Sequence, residues 1–280
     1  MSSVPAPPGW YLDPTNAAQY RFWTGQAWSA QVSPRYVEDT PPATPAPPRP
    51  PPSPPRPFQS LRGLGTALTV LFIAMAILAG LALVALINQA AVIDRIQSGQ
   101  RVSLHDRDVA AGWVAGALVL ELMVGVALAV VVIIWLWRAY TNIDVLGAGP
   151  KRYGRGFAIG AWFIPIAAFF MPKQLINDTW RAADPSAPGN PMWTKLPIAR
   201  ISSFWWVLFM VSRVIAFAGL GQSDPTTEEL SQTNSAGIVG TIVSLAAAIL
   251  GAITFRMLTA RQHDRATTLG LVPPGAPVRL

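Results

Sequence analysis

"GAWFIPIAAFFMP" (Gly160–Pro172) is the stretch whose reading decides the fold. It is apolar almost throughout, yet Pro165 stands in its middle and Pro172 at its end. Lys151, Arg152 and Arg155 precede it, and Lys173 follows. As a full crossing it makes a fifth membrane span. As a segment that enters and returns, it leaves four. A proline inside a helix removes one backbone hydrogen bond and clashes with the preceding turn. The charge-free run, residues 156–172, is about seventeen residues, the short limit for a span. Both features favour a short, kinked, re-entrant segment hinged at Pro165 and Pro172. A full crossing is the alternative.

Four other runs are long enough to span: Leu64 to Ile87, Gly112 to Trp137, about Ser203 to Gly221, and Ala236 to Phe255. In lipid the backbone has no partner but itself, so each is expected to be helical. Of the 280 residues, 51% are hydrophobic and only 12% charged, against about a quarter charged in soluble domains. The basic residues lie between the apolar runs. With four spans, fourteen Lys and Arg near the spans fall on one side and three on the other; with five, eleven against six. The positive-inside rule then places both termini in the cytoplasm of a multi-pass plasma-membrane protein. The net charge of +7 is topogenic on this reading, and no nucleic-acid partner is expected. Trp113, Trp135, Trp137, Trp205 and Trp206 sit where interfacial anchors belong, and helix packing is equally compatible.

Upstream, residues 8–36 read "PGWYLDPTNAAQYRFWTGQAWSAQVSPRY". Alternating aromatics broken at "TG" predict a β-hairpin or three-stranded module with a two-residue turn at Gly25. A unit this small buries little, so Trp10, Tyr20, Trp23 and Trp28 are either its mini-core or a partner-binding surface. Residues 40–57, "TPPATPAPPRPPPSPPRP", form a proline-rich spacer of polyproline II character. The N-terminus lacks the charged and apolar regions of a cleavable signal peptide.

Chemistry-bearing residues are few. There is no cysteine, and His105 and His263, both read as loop residues, stand far apart, so no metal and no cofactor are expected. No catalytic triad or paired carboxylates appear, so the reading is non-enzymatic. Glu121 and Arg213 lie inside spans, where an ionisable group is costly. Each is eight residues from a tryptophan at opposite ends, so at the helical rise each lies about 12 Å in. A Glu121–Arg213 ion pair is expected, structural or part of a polar relay. "GAGPKRYGRG" (Gly147–Gly156) lacks the Gly-Lys-Ser/Thr of a phosphate loop and reads as a basic turn. Gly112 with Gly116, Gly156 with Gly160, and Ala247 with Gly251 have the spacing of close helix contacts.

Two resemblances follow. Pro8, Gly9, Trp10, Tyr11, Asp13, Pro14, Arg21, Trp23, Gly25 and Trp28 fit the pattern PGWYxDP…RYWDGxxWT, which resembles a short actinobacterial domain of unknown function. Trp135, Arg138, Asn142, Gly147, Trp162, Pro165, Pro172, Trp180 and Arg181 resemble the core of an actinobacterial multi-pass membrane family, also of unknown function. Many members of that family have Asn where Ala168 stands. The resemblance implies a membrane location and no known activity.

The expected fold is thus an all-α transmembrane helical bundle of four spans plus one short kinked segment, preceded by the β module. The expected divisions are a Trp-rich module at 5–37, a disordered linker at 38–60, the helical domain at 61–262, and a disordered tail at 263–280. The expected function is a membrane-anchored scaffold or adaptor recruiting a protein partner through the module. The alternative is a small transporter or channel subunit using the re-entrant segment and the Glu121/Arg213 layer. Oligomeric state is not legible.

Overall fold

The computed structural model describes residues 6–36, 57–218 and 226–273. The chain divides into two units, residues 1–53 and 54–280. Residues 38–56 of the expected linker and 274–280 of the expected tail lie outside the described residues.

In the first unit, β1 (Gly9–Asp13), β2 (Asn16–Trp23) and β3 (Trp28–Pro34) form an antiparallel sheet in chain order. Asp13 makes the first turn, its Oδ1 accepting from both the backbone N–H and the hydroxyl of Thr15. The second turn is longer than the two residues expected. Trp23 pairs with Trp28, and Thr24 to Ala27 close the loop, with the Thr24 N–H and hydroxyl both donating to the Ala27 carbonyl. Gly25 has a φ of +95°, which its missing Cβ permits.

In the second unit, four helices are long and apolar enough to cross a membrane: α1 (Arg62–Gln97), α2 (Leu104–Val145), α5 (Arg200–Ala218) and α6 (Thr227–Thr268). Three outrun the expected spans. The 42 residues of α2 and of α6 each reach about 63 Å, roughly twice a hydrocarbon core. Polar capping fixes where α2 and α6 begin. Ser103 accepts from the Asp106 N–H, and Thr226 and Glu229 form a reciprocal capping box. Residues 227–235, ahead of the last apolar run, are therefore the first turns of α6. His105 and His263 lie on helices, not in loops, and α6 runs six residues into the stretch read as tail.

Residues 156–172 are not one helix. They comprise α3 (Phe157–Gly160), a run of turns, and a 3-10 turn (Ala167–Phe169); α4 (Met171–Ala182) then begins. Pro165 sits among the turns, and Pro172 opens α4, where a missing N–H costs nothing.

The helices pack in the order α2, α1, α6, α5. They converge on Phe255 of α6, which is fully buried. Phe72 of α1 stacks on it at 5.7 Å, while Trp135 of α2 and Trp205 of α5 meet it edge-on at 5.0 and 5.2 Å. The Trp135 indole N–H donates to the Thr259 hydroxyl at 2.9 Å. Trp135, Trp205 and Trp206 are thus buried packing residues, and Trp113 is the exposed one.

Two glycines let α1 and α6 approach. A Cβ on Gly251 would collide with the Phe72 ring, and one on Gly65 would lie 2.8 Å from Thr259. Of the small-residue pairs read in the sequence, only Ala247 with Gly251 lies at such a contact. Gly112, Gly116, Gly156 and Gly160 have nothing within 4 Å. Gly251→Ala is accordingly expected to cost about 1–3 kcal/mol by overpacking. Gly116→Ala should leave stability unchanged or slightly raised. Thermal melts of the detergent-solubilised chain measure both, and equal melting temperatures for the two variants would refute the close approach.

Candidate functional site

Residues that could do chemistry or binding gather in three places. The first is the β sheet. Strand register sorts its aromatics onto two faces. Trp10 opposes Phe22, and Leu12 opposes Tyr20, on one face. Trp23 opposes Trp28 on the other, and Tyr11 shares that face. Ring contacts agree: Trp10 meets Phe22 at 5.5 Å, and Trp28 meets Trp23 at 5.1 Å and Tyr11 at 6.4 Å. The four aromatics singled out in the sequence are therefore not one cluster. Trp23 and Trp28 come together, while Trp10 and Tyr20 lie opposite.

The buried residue of the sheet is polar. Asp13 is 3% exposed, whereas Trp10 is 49% and Trp28 40% exposed. Its carboxylate accepts from Thr15, from the Gln19 amide at 2.7 Å and from Arg21 Nε at 2.9 Å. These hydrogen bonds, the Gln19 bond foremost, hold its pKa well below the usual carboxylate range. Asp13 belongs to the motif quoted above, but its role as the sheet's interior was not legible.

The second place is a buried polar layer where α2, α4 and α6 end, at the basic end of the unit. Asn142 binds a backbone: its Oδ1 accepts from the Gln59 N–H and its Nδ2 donates to the Gln59 carbonyl, both at 2.9 Å. His263 accepts the Leu61 N–H at Nε2, 3.1 Å away, which assigns the ring proton to Nδ1. Residues 59–61, at the expected junction of linker and helical domain, are thus fastened to α2 and α6. Gln262 donates to the carbonyls of Ala139 and Thr179, tying α4 to the same layer.

Beside this layer, α4 lies with Leu175, Ile176, Thr179 and Ala182 inward. Asp178 is fully buried, between Arg181 at 3.5 Å and Arg152 at 3.8 Å. Arg152 also donates to Gln174, as does the Tyr153 hydroxyl. Lys173 donates to Asn177 and Ser202. Lys151 pairs with Asp144 at 2.6 Å. Two residues of the basic turn, Lys151 and Arg152, are therefore held by carboxylates of α2 and α4. Burial pushes the Asp178 carboxyl up to about 6 against the pull of the two arginines, and lowers the Lys173 amine to about 8.

The third place is the Glu121/Arg213 layer. The two charges do not close into an ion pair: Glu121 Oε1 is buried without a hydrogen-bond partner, and the Arg213 guanidinium lies 5.8 Å from the Phe209 ring centroid. α2 packs chiefly on α1, and α5 chiefly on α6, so the helices that carry the two charges are not each other's main partners. Among the described residues, no group of three His, Asp or Glu is placed to hold a metal.

The raised Asp178 pKa has a sign. The folded state holds the proton more tightly than the unfolded one, so the associated stability is full below about pH 4 and is lost as pH rises through about 6. Between pH 4.5 and 7 the wild-type chain should lose on the order of 2 kcal/mol that Asp178→Asn does not lose. Melting curves across that window test this; parallel pH profiles would refute it.

No curated protein and no solved structure matches this chain. A match to a known family runs over residues 98–260, from just before α2 into the last turns of α6. It takes in Trp135, Asn142, Asp178 and the broken segment, and begins beyond the β sheet and α1. The chain therefore belongs to the family described as Domain of unknown function (DUF4328).

Proposed function

We propose that the chain is a membrane-anchored adaptor, with the helical unit in the bilayer and the β sheet recruiting a protein partner. The observation that carries this reading is the face of Trp10, Leu12, Tyr20 and Phe22. Trp10 and Leu12 are nearly half exposed on a sheet only three strands wide. Exposed tryptophan on a small rigid sheet is the commonest chemistry of a binding hot spot. The helical unit supplies the anchor. It crosses four times, both termini face the cytoplasm, and residues 156–172 enter from the cytoplasmic side and return. Supporting the last point, the helical pieces there are four and three residues long, far short of a span.

Topology has a direct test, because the chain has no cysteine of its own. Gly154 and Lys195 are exposed and flank the broken segment. Gly154→Cys and Lys195→Cys should label from the same, cytoplasmic side with a membrane-impermeant maleimide. Labelling from opposite sides would make the segment a fifth span.

Recruitment is tested by crosslinking the tagged full-length chain in native membranes. Trp10→Ala should lose a crosslinked protein that wild type retains, by about tenfold or more for a hot-spot tryptophan. The transporter reading rests on the unpartnered Glu121 Oε1. An unchanged crosslink pattern, together with solute flux in proteoliposomes abolished by Glu121→Gln, would overturn the adaptor in its favour.

A further inference from the structure

The opposite face of the sheet is not bare. Ala6, Pro7 and Pro8 run across it as a strap. The Trp23 indole N–H donates to the Ala6 carbonyl at 3.1 Å, and the Tyr11 hydroxyl donates to the Pro7 carbonyl at 2.9 Å. Pro8 lies over the second turn: its Cγ would be 3.3 Å from a Cβ on Gly25. Two aromatic donors thus read successive carbonyls of a proline-rich segment. Such carbonyls are free to accept, because a polyproline II strand has no internal hydrogen bonds. Aromatic-lined grooves capture proline-rich peptides in this way, and a preformed polyproline helix loses little entropy on binding.

The strap is lightly held. Ala6, Pro7 and Pro8 are all exposed, and Trp28, edge-on to both Trp23 and Tyr11, remains 40% exposed. The sequence also repeats it. Residues 5–8 read Pro-Ala-Pro-Pro, and so do residues 45–48 in the proline-rich tract.

We propose that the Tyr11/Trp23/Trp28 face is a binding groove for proline-rich peptides with an Ala-Pro-Pro core, and that Ala6–Pro8 is its resident, displaceable occupant. Tyr11 and Trp23 supply the carbonyl donors, and Trp28 supplies the ring against which a proline packs. The tract at residues 40–57 carries a matching sequence, so a chain of the same kind is itself a source of ligand. This groove and the Trp10 face lie on opposite sides of one sheet, and each stands or falls without the other.

The test uses the full-length chain in mild detergent, labelled with 5-fluorotryptophan, and a synthetic peptide of residues 40–57. In a Pro7→Ser/Pro8→Ser variant the peptide should bind about tenfold more tightly than in wild type, since the competing strap is weakened. The fluorine lines of Trp23 and Trp28 should shift on titration while that of Trp10 stays. Adding Tyr11→Phe, which keeps the ring and removes one donor, should weaken binding about fivefold, the worth of one net hydrogen bond. No saturable binding, or shifts confined to Trp10, would overturn the proposal. If the strap variant loses the sheet, a nitroxide-tagged peptide titrated into wild type replaces it. Selective broadening of Trp23 and Trp28 supports the groove, and its absence overturns it. A crosslink lost in Trp10→Ala alongside no peptide binding would leave the adaptor standing and remove the groove. Peptide binding with no crosslink would do the reverse.

Discussion

The helical unit depends on the meeting of four helices at Phe255. A ring buried from all sides forces its neighbours to approach at fixed distances. Phe72 can stack only because Gly251 has no side chain, and α1 can cross α6 only because Gly65 faces Thr259. Trp135 then reaches both the Phe255 edge and the Thr259 hydroxyl. One aromatic group thus sets the spacing of α1, α2, α5 and α6 together. Between helices in lipid, where apolar burial gives no net drive, such dense contact is the main source of association.

What lies beyond this hub follows from its placement. With α1, α2 and α6 fixed, their basic ends stand clear of the apolar layer, and their polar side chains face one another. Asn142 donates to Gln262, and Asn142, Gln262 and His263 direct their remaining bonds chiefly at backbone groups that would otherwise lack partners. Asn142 captures residue 59, His263 captures residue 61, and Gln262 captures α4 through Thr179. The amphipathic helix is fixed before its charges are considered. The Asp178 carboxyl is buried as a consequence, and two arginines offset its burial without cancelling it.

The sequence made the four long helices legible because lipid allows an apolar run only one secondary structure. It did not make their ends legible. Hydropathy sees the run from Ala236 to Phe255, while the capping box at Thr226 and the buried face at Gln262 and His263 extend α6 on both sides. The polar layer was invisible for the same reason: its members come from α2, α4, α6 and a supposed linker, and no spacing along the chain relates them. The Glu121/Arg213 pairing used depth alone, but depth does not say which helices are neighbours. In the sheet, alternation gave the strands and not the sides. Four aromatics that read as one cluster divide two and two, because residues separated by an odd number of positions along a strand face opposite ways.

The broken segment is the place where these constraints meet. Pro165 forbids a continuous helix, so backbone groups between Ala161 and Ile166 need other arrangements. Non-helical backbone beside lipid is tolerable only where protein shields it. α5 provides part of the shield: the Trp206 indole N–H donates to the Phe169 carbonyl at 3.0 Å, and its ring stands 6.1 Å from that of Trp162. α3 rests on α2 on the other side. Meanwhile Phe163, Ile166 and Phe169 point outward, largely exposed. The segment packs its small residues Ala158, Ala161 and Ala167 against protein and turns its largest apolar side chains away from it. That division is what a chain must adopt if it is to sit in an apolar surrounding without being a helix, and it explains how two prolines and a run of phenylalanines coexist in thirteen residues.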